Sequence, residues 1–260
     1  MALADWTSDS VIVTTALSPD LDGGFYFRAV PAQFSVLAQA YLGIQFRSEL
    51  AQISLPLIYR HKPLYNLPLY HELGHFVDIR HNISGLTLLL NPVSPPYTNI
   101  ALSHRREHFA DLFCACYMGD ASTSFLVDFA GVQPASVTHP DTSSRIALVN
   151  DFLSNTANQV VNMFQAALTQ LNLPRLTQRF SVPTIAEHLN NVCPPIIGAD
   201  AELHGLLASG YSYLQRAVAH RTPPWDTMPE DRIESIVNDL AEKAIRNYMI
   251  TTRWAQGAVP

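Results

Sequence analysis

This sequence has little charge for its length. Asp, Glu, Lys and Arg make up 15% of 260 residues, and the net charge is −6. It has no basic run and no basic–aromatic stripe, so a nucleic-acid partner finds no electrostatic footprint. Long apolar runs are missing too. The most apolar short piece, LTLLL at 86–90, falls far below the roughly 20 residues that a membrane-spanning helix needs. The opening MALADWTSDS lacks a basic stretch followed by an apolar core, so no secretory signal is read from it. Cysteine is scarce: Cys114, Cys116 and Cys193 are few and odd in number, which argues against a disulfide scaffold. Cytoplasmic residence without a transmembrane segment is the expectation. There is no G-x-S-x-G turn and no phosphate-binding glycine loop, so serine-hydrolase and P-loop chemistry lack their motifs.

What is present is a globular composition. Hydrophobic residues form 48% of the chain and are spread along its whole length, which excludes disorder and supplies one large domain or two small ones. VIVTT (11–15) reads as a strand, followed by the turn-rich SPDLDGG. Residues 31–52 have helical spacing at Phe34, Leu37, Tyr41 and Ile44. ISLPLIY (53–59) reads as a short strand, and Pro56 points to a sheet edge. A helix over about 67–80 follows, with Asn66 as its N-cap and Pro68 in its first turn. Residues 82–99 read as a loop with one strand. Further helices are expected over about 101–118, 143–171, 201–220 and 229–254. The last of these has the cleanest amphipathic pattern. Cys114 and Cys116, two apart on a helix, point to different sides and read as core residues.

The chemistry concentrates in LYHELGHFVDIRH (69–81). His71 and His75 are four apart, so both rings leave one helix face about a turn apart and can grip one ion. Glu72 follows the first ligand directly and is angled to reach a metal-bound water. Zinc lowers the pKa of that water, and the glutamate takes its proton. Given this chain's histidine and glutamate content, H-E-x-x-H arises by chance in roughly one such sequence in a hundred.

Two residues compete as third ligand. His81 completes the spacing H-E-x-x-H-x-x-G-x-x-H, but Asp78 stands where that pattern needs a glycine for a sharp turn. Glu107, in HRREHFAD (104–111), is the other. It shares a helix face with Asp111, which can accept the free N–H of a ligand histidine. Phe109, Leu112 and Phe113 make that helix a buried one, and buried carboxylates need a partner.

HELGH (71–75) followed by EHFAD (107–111) resembles the gluzincins, zinc peptidases with thermolysin-like ligation. The pair is most similar to the HtpX-like peptidases and the ImmA/IrrE-like group. THPDTSSRIALV (138–149) resembles a downstream segment of the HtpX-like enzymes. The likeness covers roughly residues 65–150. It implies that His71, His75 and Glu107 bind Zn2+, that Glu72 is the general base, and that Asp111 orients a ligand histidine. By the same likeness His139 stabilises an oxyanion, and Arg145 braces the cleft or holds a substrate carbonyl or carboxylate. HtpX-like enzymes are membrane-embedded and this chain shows no span, so their membrane role is not carried over.

The expected fold is therefore α+β and predominantly helical. It has a zincin-type core in residues 1–150 with a small N-terminal sheet, and a helical region in 151–260. The expected function is zinc-dependent hydrolysis of a polypeptide substrate, which pairs by strand addition with an edge strand from 53–59. The alternative is a catalytically silent zincin-fold protein whose C-terminal helices dock a partner.

Overall fold

The computed structural model describes residues 2–7, 11–18, 25–29, 32–43 and 49–257. Strands β1 (Val11–Ser18), β2 (Tyr26–Ala29) and β3 (Glu49–Pro56) form one sheet in the order β1-β3-β2. β3 runs parallel to β1 and antiparallel to β2, with Phe27 opposite Ile53. Ten helices follow or interleave among the described residues: α1 (Ala32–Leu42), α2 (Pro68–His81), α3 (Ile83–Leu90), α4 (Thr98–Met118), α5 (Ala121–Phe125), α6 (Thr142–Leu153), α7 (Gln159–Gln170), α8 (Ala186–Asn190), α9 (Asp200–His220) and α10 (Glu230–Gly257). The result is a mostly helical α+β architecture with a small N-terminal sheet.

Several local expectations are corrected. The helix expected over 31–52 ends at Leu42, and Glu49–Gln52 already belong to β3. Its stripe does not face a core either, because Leu37 and Tyr41 are exposed. Helical spacing sets a conformation, not what the face meets. Most of the turn expected at 18–24, and Ile44, lie outside the described residues.

β3 is the central strand, not an edge. Ala51, Ile53, Ser54 and Leu55 are all buried, and Pro56 is tolerated because it closes the strand. Pairing of a substrate with residues 53–59 is thereby ruled out. The loop expected over 82–99 opens with α3, and no strand forms in it. The three prolines of that stretch, Pro92, Pro95 and Pro96, all fall after Leu90 and so break nothing. The single helix expected over 143–171 is two, α6 and α7. Asn155 takes a left-handed φ of 55°, and Asn158 caps α7 by accepting from the Val160 and Val161 amides. Asn66 does not cap α2. Its amide donates to the Tyr59 carbonyl, and Leu67 precedes Pro68 in helical conformation.

Two apolar clusters hold the helices. One gathers Trp6, Phe76, Phe109, Phe113, Tyr117, Phe164 and Tyr211, drawing on residues either side of 150. The other lies around α9 and α10, with Leu64, Trp225, Ile233 and Leu240. Tyr65 and Leu207 touch both. Within the first cluster α2 and α4 run antiparallel in close contact at Gly74. A Cβ at Gly74 would stand 2.8 Å from the Ala110 Cα, a backbone atom that cannot yield. Glycine at this point lets the two helices approach closely enough for their side chains to converge, so any larger residue forces them apart.

Candidate metal centre

α2 supplies His71, Glu72 and His75, and α4 supplies Glu107 and Asp111. Nε2 of His71 lies 3.1 Å from Nε2 of His75, and the Glu107 carboxylate oxygens lie 3.4 Å from each ring. These three form one group whose ligand atoms sit within 4.8 Å of one another. Bonds of about 2.0–2.1 Å to zinc place the corners of a tetrahedron about 3.3 Å apart, so the spacing fits a zinc ion.

The tautomer follows from the neighbours. Nδ1 of His71 lies 3.0 Å from Oδ1 of Asp111. An ionised carboxylate only accepts, so Nδ1 carries a hydrogen, and Nε2 is the nitrogen that faces the group and can bind a metal once its own proton is lost. Asp111 is held in turn by Arg145, whose Nε and Nη2 each donate to it at 2.7 Å. Arg145 Nη2 also stands 3.4 Å from Glu107. The guanidinium is buried behind the carboxylates and does not line the open cleft. Its geometry is that of the brace, not of a substrate contact.

Charge is distributed unevenly over this cluster. Burial draws the His71 imidazole down, but hydrogen bonds and charge from Asp111 and Glu107 outweigh it and hold it up at about 10. Burial and the neighbouring His71 charge press His75 down to about 4. Burial alone would lift the Glu107 carboxyl. The His71 hydrogen bond and the charges of His71, His75 and Arg145 reverse that and bring it to about 2. Asp111 is held below the usual carboxylate range against its own burial, chiefly by Arg145. Glu72 goes the other way, pushed up by burial.

This arrangement sets a pH dependence. At neutral pH His75 is neutral and Glu107 ionised, whereas His71 still carries the proton that a metal must displace. Zinc binding at pH 7 is therefore expected to release about one proton, and affinity should rise about tenfold per pH unit between pH 6 and 8. Titration calorimetry in two buffers of different ionisation heat counts the protons. A count of zero would mean that His71 is already neutral.

The group opens into a cleft of about 400 Å3 lined by Phe25, Phe27, Ile79, Ser103, Arg106 and Thr138, among others. Glu72 lines it too, and its Oε2 accepts a 2.5 Å hydrogen bond from the Phe27 amide on β2. His139 sits at the rim, exposed, with Nε2 3.6 Å from Glu107. Its loop is tied down by His104, whose Nε2 lies 2.7 Å from the Ser136 carbonyl. Ser136 Oγ in turn accepts the His139 amide.

His81 is elsewhere. α2 continues through it, and its Nε2 lies 3.0 Å from the Trp6 carbonyl. The sharp turn that a third ligand there needs comes only at Asn82, with φ 50°. Asp78 is buried and accepts from the Ser84 amide at the start of α3. Tyr117 is buried and bonded to Trp6 and Ala2, and Tyr97 does not line the cleft, so neither is placed as an oxyanion donor. Sequence reasoning missed the Phe27 amide, Ile79 and Arg106. A backbone donor 45 residues upstream has no sequence signature.

Comparison with protein-family models, with curated proteins and with solved structures finds no match. No helix among the described residues is long and apolar enough to cross a membrane.

Proposed function

We propose that this chain is a zinc-dependent peptidase with a zincin-type core and gluzincin-type ligation. One observation carries the reading: two imidazole nitrogens and a carboxylate converge at tetrahedral spacing with Glu72 beside them in an open cleft. His71, His75 and Glu107 would hold the zinc, which supplies Lewis acidity, polarising a carbonyl and easing deprotonation of water.

The rest falls to the chain's own groups. Glu72 takes the proton from the attacking water and passes it to the leaving amine. Its burial raises its proton affinity toward the range in which a base can also return the proton. Asp111 fixes the His71 tautomer, and Arg145 fixes Asp111. His139, at the rim, is placed to donate to the oxyanion that develops on the substrate. β2, bordering the cleft, offers an extended substrate the sheet edge that β3 does not.

The test is hydrolysis of a mixed peptide library by the zinc-loaded chain. Cleavage is expected, with loss on zinc removal by a chelator and return on adding zinc back. Equal cleavage in the metal-stripped protein would contradict the proposal.

A further inference from the structure

Three arginines surround the junction of α2 and α4, and two are committed to the protein. Arg145 is bidentate to Asp111. Arg105 donates to the Thr87 hydroxyl and the Asn91 carbonyl. Arg106 differs. Its side chain is 44% exposed and lines the cleft, and among the described residues its one ion-pair partner is Asp78, 3.8 Å from its Nε. That distance is too long for a hydrogen bond. The Ser84 amide supplies a hydrogen bond to Oδ1 of Asp78, and the guanidinium faces Oδ2 as a nearby charge and not as a hydrogen-bond donor.

Among the described residues that line the cleft, Arg106 is also the one Lys or Arg. The other charges there are the Glu72 and Glu107 carboxylates and the histidines. With a bound dication offsetting the two carboxylates, the guanidinium is the cationic side chain that faces the cleft, with Asp78 buried beneath it. Ile79 and Ser103 line the cleft at the same end. Ile79 is four residues beyond His75, or about 6 Å along the helix. An extended peptide advances about 3.3 Å per residue, so this end of the cleft is about two residues from the scissile bond.

We infer that Arg106 recognises a carboxylate of the substrate, held by its unbonded guanidinium within about two residues of the cut. This rests on the peptidase reading. The carboxylate is either an acidic side chain or a peptide C-terminus, since the fork geometry fits both. Arg106 does not touch the reacting atoms; it sets which peptides are cut.

The experiment is cleavage-site profiling by mass spectrometry. Zinc-loaded wild type, Arg106→Gln and Arg106→Lys each digest one library of peptides of defined sequence, with free and with amidated C-termini. Wild type should favour Asp or Glu, or the free terminus, at one fixed position near the cut. The ratio of acidic to amide-matched sites should fall about tenfold in Arg106→Gln and less in Arg106→Lys. Loss of the bias on amidation assigns the terminal carboxylate, and its persistence assigns the side chain. Zinc content of each variant serves as the control for folding. Cleavage by wild type with no acidic bias, or with a bias that Arg106→Gln keeps, overturns the inference and leaves the peptidase reading standing. No cleavage by any zinc-loaded form overturns both.

Discussion

Replacing Glu107 by alanine is expected to take bound zinc from about one ion per chain to near none. In the proposed site the residue would be one of the three protein ligands and the only carboxylate among them. Without it, only the two imidazoles remain as ligands, and the carboxylate that would offset the charge of the ion directly is gone. The fold should survive better than the site, because Arg145 keeps its two hydrogen bonds to Asp111. His81→Ala makes the matched control. Its ring lies against the Trp6 carbonyl, so zinc should stay bound. Elemental mass spectrometry of the dialysed proteins reads both. Zinc kept in Glu107→Ala and lost in His81→Ala would move the third ligand and undo the gluzincin reading.

Glu72→Gln should have the opposite signature. Glutamine still accepts the Phe27 amide hydrogen bond and lies outside the ligand trio, so zinc content and thermal midpoint should hardly move. What it cannot do is take and return a proton. General-base removal typically costs about 10²–10⁴ in rate, so kcat should fall by that order with KM nearly unchanged. If every measurable function survives this change, the site is not hydrolytic. The C-terminal helices, docking a partner, then become the place to look.

The legibility of this site in sequence follows from its chemistry. His71, Glu72 and His75 are readable because one helix period dictates their geometry. Glu107 and Asp111 are readable as a second such pair. The antiparallel contact that joins the two pairs is set by Gly74 against Ala110, and a glycine inside a motif does not announce what it lies against. The hydrogen bonds of Arg145 to Asp111 span 34 residues, so its role as brace emerges only when α6 docks on α4. Pro56 suggested an edge strand, yet β3 is central, because a proline that ends a strand removes no ladder bond that matters. The break between α6 and α7 hides in SNTAN, where the apolar stripe continues across the turn because both helices bury it: Leu148 and Val149 on one side, Phe164 and Leu168 on the other.

The three-ligand zinc site proposed between α2 and α4 has a direct crystallographic test. Anomalous X-ray scattering at the zinc edge, on crystals of the chain grown with zinc, tests it most directly. A single strong peak is expected about 2.0–2.2 Å from Nε2 of His71, Nε2 of His75 and a Glu107 oxygen. A peak beside His81, or no peak between the two helices in zinc-soaked crystals, would contradict it.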